Sequence, residues 1–282
     1  MRIGILMMEH SKTRQQSVMP DVVQILTDWG VAVDLIYPEQ ELIEVANIRI
    51  DHDLYVLKAS SNLAMSMAGA LHAIGAAVLN PYPVAAMLRD KIVTERILRT
   101  AGVPTPDTFV ADRAEHLAPL LAAGPMIIKP YRGSRGRGVR VVWDADELDE
   151  LSSVDGPLFA QRYQKPEGPD RKIYCIGEQV FGVERVWPPL SYTDKVGRPF
   201  TITPELRDIA LRCRRAFGVD LLGLDVVISD GHPYVVDVNS FPGFKGVPDA
   251  ALRLADYIFA AAEQQREHHP LPARQAPKEM QQ

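Results

Sequence analysis

Gly223-Leu224-Asp225-Val226-Val227-Ile228-Ser229-Asp230-Gly231-His232-Pro233-Tyr234-Val235-Val236-Asp237-Val238-Asn239 reads as two strands joined by a tight turn. The Asp230-Gly231 step is a strong hairpin signal, because both residue types tolerate the positive φ that such turns need. Counting back from the turn in equal steps sets Asp225 approximately opposite Asp237. Asn239, two residues on, points to the same face as Asp237. Two carboxylates facing each other across a strand pair repel, and burial among Val and Ile raises the cost unless a cation or a proton neutralises them. A hard divalent ion with oxygen ligands resolves this, and Mg²⁺ with nucleotide phosphates suits a site of few carboxylates. The plainer alternative is three ordinary polar residues on the wet face of an antiparallel sheet.

Upstream, the strand Met126-Ile127-Ile128 runs into Lys129-Pro130-Tyr131-Arg132-Gly133-Ser134-Arg135-Gly136-Arg137-Gly138-Val139 and then into another strand. Glycines let backbone N–H groups approach phosphate oxygens, and a lysine at a strand end bridges to them as a point charge. No Gly-Lys-Ser/Thr opens a helix here, so this is not a Walker loop. A strand rather than a helix follows, so it is not a Rossmann fingerprint. A basic glycine-rich tip is also a common solvated turn.

The first third of the chain has a βαβ rhythm: Ile3 to Met7, Val22 to Trp29, Val31 to Ile36, Leu54 to Leu57 and Leu63 to Ile74. Pro20 at a helix start and Gly30 beyond its end fit the usual asymmetry. A small parallel sheet with flanking helices is expected over 1–83. The prolines of Asn80-Pro81-Tyr82-Pro83 mark the boundary. Within the second domain, 84–265, a helix-rich segment from Val84 to Ala101 comes first; from Thr108 on strands dominate, several joined by turns too short for a crossover helix, so a largely antiparallel α+β arrangement is expected. The stretch 266–282, rich in Pro, Gln and charge, reads as a disordered tail. Helices are expected near Ala114 to Ala122, Glu147 to Ser152, Pro204 to Phe217 and Asp249 to Gln265.

The 282 residues are enough for about two packed units. With 31 basic and 36 acidic residues, there is no general pull toward nucleic acid or an anionic membrane, so an anionic ligand must be held by local clusters. Cys175 and Cys213 make no disulfide framework and read as two buried or idle thiols, which fits a reducing cytoplasm. The apolar run at Met1 to Met8 is too short for a signal-peptide core or a membrane span.

Together these residues resemble the ATP-grasp superfamily, in particular the RimK-like glutamate ligases and the inositol-phosphate kinases of similar fold. The ordered pieces are Arg89-Asp90-Lys91 opening a helix that ends in Ala101-Gly102-Val103-Pro104-Thr105-Pro106, the loop Lys129 to Val139, the hinge Ala160-Gln161-Arg162-Tyr163, Asp225, and Asp237-Val238-Asn239-Ser240-Phe241-Pro242-Gly243. The resemblance implies an ATP-grasp fold: a small parallel-sheet N-terminal domain followed by two α+β subdomains that sandwich ATP. It further implies that Lys91 and Lys129 contact the α and β phosphates and that Gly133, Ser134, Arg135, Gly136 and Gly138 cover the triphosphate. The backbone near Gln161, Arg162 and Tyr163 would hold adenine. Asp225, Asp237 and Asn239 would carry Mg²⁺, with Mn²⁺ able to substitute. Arg185 and Lys172 are candidates for stabilising the transferring phosphoryl group, with a surface ion pair as the plainer role.

Two departures concern the acceptor and the base. Where the RimK-like ligases usually carry Arg-Ser-Asn, this chain reads Trp187-Pro188-Pro189-Leu190-Ser191-Tyr192-Thr193-Asp194-Lys195, and the hinge has Arg162 where an acidic residue is common. The stretch Asp237 to Asp249 looks closer to the inositol-phosphate kinases. The expected function is therefore a carboxylate-amine ligase forming an amide or peptide bond through an acyl phosphate on a small-molecule or peptide acceptor. A small-molecule kinase is the alternative. A non-catalytic nucleotide sensor is disfavoured because all three metal ligands are intact. Lys12, Arg14 and Lys58 are candidates for an anionic substrate, since Lys58 follows a parallel strand whose C-terminal end favours ligands. A homo-oligomer remains open.

Overall fold

The computed structural model describes residues 1–8, 17–133, 138–151, 156–186 and 192–268. In chain order the first elements are β1 (Arg2–Leu6), α1 (Met19–Asp28), β2 (Ala32–Ile36), β3 (Leu54–Leu57), α2 (Asn62–Ala73) and β4 (Val78–Leu79). They are followed by α3 (Tyr82–Met87), α4 (Lys91–Thr100), β5 (Thr108–Ala111), β6 (Met126–Pro130), β7 (Arg140–Val142), α5 (Ala145–Asp149), β8 (Leu158–Arg162), β9 (Asp170–Ile176) and β10 (Gln179–Arg185). The last are α6 (Tyr192–Val196), β11 (Arg198–Phe200), α7 (Pro204–Phe217), β12 (Leu221–Ser229), β13 (His232–Ser240) and α8 (Ala250–His268).

Chain contacts divide the protein into one unit of Met1–Tyr82 with the residues from Ala251 onward, and a second of Pro83–Ala250. In the first, the parallel sheet is ordered β2-β1-β3-β4. Ile3, Ile5, Leu6 and Val56 are fully buried in it, as are Met19, Val22 and Leu26 of α1. On α8, Leu254, Ala255, Ile258 and Ala262 recur at helical spacing and are fully buried. This helix groups with the N-terminal unit, whereas the sequence reading placed it in 84–265. It also continues through His268, three residues into the stretch read as a tail.

The second unit holds two antiparallel sheets, β5-β8-β6-β7 and β11-β10-β9-β12-β13. The larger sheet packs on α7 for a local reason. Thr203 caps that helix by accepting from the Leu206 N–H at 3.2 Å, Pro204 sits at its start, and Gly218 ends it at φ 62°. Leu206, Ile209, Ala210, Cys213 and Phe217 then fall on one stripe, meeting Ile173, Cys175, Leu222, Leu224, Val226, Val235 and Val238 of the sheet. Both thiols lie in this core, and burial pushes each up to about 12, as expected for structural cysteines. The segment 114–123 is helical as expected but of 3-10 type, with Pro119 inside it. The short pieces α6, β4 and β11 carry too little periodicity to have been foreseen.

Candidate active site

Because the core takes one face of the five-stranded sheet, the other face is left for polar residues. On β9, Asp170, Lys172 and Tyr174 alternate with the buried Ile173 and Cys175. Lys172 lies opposite Asp225 on β12, and Asp225 lies opposite Asp237 on β13. The last pairing depends on an irregularity. From the turn the register runs Ser229↔His232, Ile228↔Pro233, Val227↔Tyr234 and Val226↔Val235. Continued in equal steps, it would put Asp225 opposite Val236 and turn Asp237 to the core face with Leu224. A bulge between Val226 and Asp225 leaves Val236 as an extra residue, so both aspartates share one face. The carbonyl of Val236 accepts a hydrogen bond from Lys129 Nζ at 2.9 Å. Asn239 follows on the same face, and its amide nitrogen donates to Asp237 Oδ2 at 3.4 Å. Gly223, opposite Asn239, can carry no side chain, since a Cβ there would stand 2.8 Å from Pro242 Cγ.

Two more cations come from outside this sheet. Asp90 caps α4 by accepting from the N–H groups of Ile92 and Val93 at 3.0 and 3.2 Å, which makes Lys91 its first residue. Lys91 Nζ donates to the Gly133 carbonyl at 2.9 Å and lies 3.9 Å from Asp237 Oδ1. Lys129, near the end of β6, is buried and donates to Gln161 Oε1 at 2.8 Å as well as to Val236. Lys172 forms an ion pair with Asp225.

The electrostatics follow from this packing. Burial, and then the negative Asp225, push the Asp237 carboxyl above its usual value, against the pull of Lys91, Lys129 and Lys172. Burial lowers Lys129, with Asp237 opposing. Asp170 is raised by burial and by Asp225, and Tyr174 is pushed up to about 12, chiefly by burial. Arg185 Nη2 donates to Tyr174 Oη at 2.6 Å, while its Nε is buried without a partner among the described residues, an arrangement that suits an arriving anion.

Asp225, Asp237 and the side-chain oxygen of Asn239 form a hard donor set that fits a divalent cation, and the surrounding ammonium groups fit phosphates. Among the described residues no cluster of three or more His, Cys, Asp or Glu could hold a metal. Two carboxylates and one amide would therefore need water or phosphate oxygens to complete a coordination sphere.

The structure thus brings together Lys91, Lys129, Gln161, Lys172, Arg185, Asp225, Asp237 and Asn239. Gly133 and Gly138 flank the glycine-rich loop, and Ser134, Arg135 and Gly136 lie outside the described residues, as do Lys12, Arg14 and 187–191. Lys58 follows β3 in the N-terminal unit, its N–H bonded to the Leu6 carbonyl. The expectation for the hinge narrows. Gln161 is engaged inside the protein, and Arg162 donates to the carbonyls of Leu120 and Gly124, closing the 3-10 segment. The N–H groups of Arg162 and Tyr163 are bonded to the Asp107 and Pro125 carbonyls. Asp170, Tyr174 and Glu95 were missed. The alternation Asp170-x-Lys172-x-Tyr174 could have revealed the first two, as the polar face of a strand beside Asp225.

The chain is similar to known proteins along most of its length. Residues 88–261 match the RimK-like ATP-grasp domain family, which is more than half of the chain. The alpha-aminoadipate–LysW ligase LysX of Saccharolobus solfataricus is 29% identical over 238 residues, covering 77% of this chain and 86% of that one. The crystal structure of a RimK domain ATP-grasp protein from Sphaerobacter thermophilus is similar with a TM-score of 0.74 at 19% identity, over 92% of this chain and all of that one. The ATP-grasp ligase PsnB, solved with minimal precursor, Mg and ADP, has a TM-score of 0.70 at 19% identity, over 92% of this chain and 97% of its own. The chain belongs to the RimK-like ATP-grasp family of carboxylate-amine ligases.

Proposed function

We propose that this protein is an ATP- and Mg²⁺-dependent ligase that joins the carboxylate of one substrate to the amine of a small molecule or peptide through an acyl phosphate. One observation carries the reading: Lys172, Asp225 and Asp237 stand in one row with Asn239 beside them, and Lys91 and Lys129 approach from the other elements. The ligase name of LysX and the Mg and ADP in the PsnB complex support it. A kinase would use the same clamp, and the ligase relatives favour amide formation.

In this reading Lys91 and Lys129 hold the α and β phosphates, and the loop Gly133 to Gly138 covers them. The segment at Gln161 to Tyr163 borders the base. Asp225, Asp237 and Asn239 hold Mg²⁺, which when bound neutralises phosphate charge, and Mn²⁺ substitutes for it. Arg185 and Lys172 stabilise the charge on the transferring phosphoryl group. A carboxylate oxygen attacks the γ-phosphorus, the bond from that phosphorus to the β–γ bridging oxygen breaks, and ADP leaves. The amine then attacks the acyl carbon, the carbon–oxygen bond to phosphate breaks, and inorganic phosphate leaves with the surplus amine proton passing to solvent. Lys58, with Lys12 and Arg14, serves the anionic substrate, and the reaction belongs to the cytoplasm.

The test is ADP release with pooled carboxylates and amines. Release should require both pools and Mg²⁺ and should be lost in Asp225→Asn. Release with hydroxyl compounds alone would contradict the reading.

A further inference from the structure

Lys129 sits at one end of a buried polar chain that begins on α4. The Glu95 carboxylate, 8% exposed, accepts at Oε1 from Arg99 Nε (2.8 Å) and Thr105 Oγ1 (2.6 Å), and at Oε2 from Gln161 Nε2 (3.5 Å). The second amide hydrogen of Gln161 goes to Thr108 Oγ1 at 3.1 Å, whose own hydrogen is given to the Pro106 carbonyl at 2.8 Å. Gln161 Oε1 is left facing Lys129 Nζ. The polarity of the chain has one solution. An ionised carboxylate and a backbone carbonyl only accept, an ammonium only donates, and a reversed Gln161 amide would set carbonyl against carboxylate and NH₂ against NH₃⁺. The cavity beside Glu95, Gln161 and Asp237 measures about 20 Å³, room for a single water.

We infer that Glu95 is a positioning residue for Lys129: through Gln161 it fixes the acceptor that, with the Val236 carbonyl, directs two of the three ammonium hydrogens and leaves the third for a phosphate oxygen. This rests on the nucleotide reading of Lys129 proposed above. Glu95 touches no reacting atom and acts only through its neighbours.

The test is calorimetric titration of the full chain with the imido analogue of ATP and Mg²⁺, in wild type, Glu95→Gln, Lys129→Met and the double variant. Glu95→Gln should weaken binding about tenfold, the order expected for a charged hydrogen bond. In the Lys129→Met background the same change should cost less than about twofold, since a residue acting through Lys129 loses its effect when Lys129 is gone. Should Glu95→Gln fail to melt cooperatively, Gln161→Met replaces it, with the same loss and the same coupling expected. An unchanged affinity, or an equal loss in both backgrounds, overturns the inference. Absence of binding by wild type removes the nucleotide reading and this inference with it, whereas binding by wild type with no effect of the variants removes the inference alone.

Discussion

Asp237 is the side chain on which the site turns, because it meets Asp225 across the hairpin, Asn239 along the strand and Lys91 from α4. Asp237→Asn should lower turnover by roughly 10²-fold or more. The melting temperature of the metal-free protein should hold or rise, because its folded environment disfavours the charged form. A clear fall in that temperature would contradict the assignment. Asp34 shows the opposite sign. His52 Nε2 and then Arg2 Nη2, each 2.8 Å from its Oδ2, hold it below the usual 3.8. A depressed folded value contributes stability that is present above 3.8 and lost as pH falls through the folded value. Asp34→Asn should therefore melt lower than wild type at pH 7, with the difference closing as pH falls below 3.8 and through the folded value. Equal melting at pH 7 would sink this. At this scale Asp237 and Asn239 stood out because they lie two apart on one strand, whereas the facing of Asp225 and Asp237 comes from the bulge and not from the equal count back from the turn. Glu95 did not stand out, since 66 positions separate it from Gln161 and nothing local marks a carboxylate whose partners arrive by folding.

Among the elements, the β12–β13 hairpin does what no single residue can. Its bulge adds Val236, which rotates Asp237 from the core face to the face of Asp225 and places a carbonyl against Lys129. Deleting Val236 should restore the even register and send Asp237 toward the core, so the thermal shift given by Mg²⁺ and nucleotide should disappear. A retained shift would show that the bulge is dispensable. The hairpin itself was readable from Asp230-Gly231, and α7 from Thr203, Pro204 and Gly218. The bulge was not, because one inserted residue leaves the Val-rich pattern unchanged while reversing which face each side chain takes. The side-chain partners of the hinge were not legible, since the targets of Arg162 are carbonyls some 40 residues away.

For the whole molecule, the parallel order of the first sheet and the antiparallel order of the other two follow from the spacing of apolar runs. The grouping of α8 with the N-terminal unit does not, because a helix stripe says that it is buried and not against what. A binding-competent fold should also show linkage: nucleotide with Mg²⁺ at about 100 times its Kd should stabilise the protein by about 2.7 kcal/mol, read as a rise in Tm that neither gives alone. Ligase and kinase share every part of the clamp, so the fate of the phosphoryl group decides between them. The direct measurement is incubation with γ-labelled ATP, Mg²⁺ and pooled carboxylates in the presence of hydroxylamine. One hydroxamate and one labelled inorganic phosphate are expected for each ADP. Label retained on a stable phosphate ester, with neither hydroxamate nor free phosphate, would contradict it.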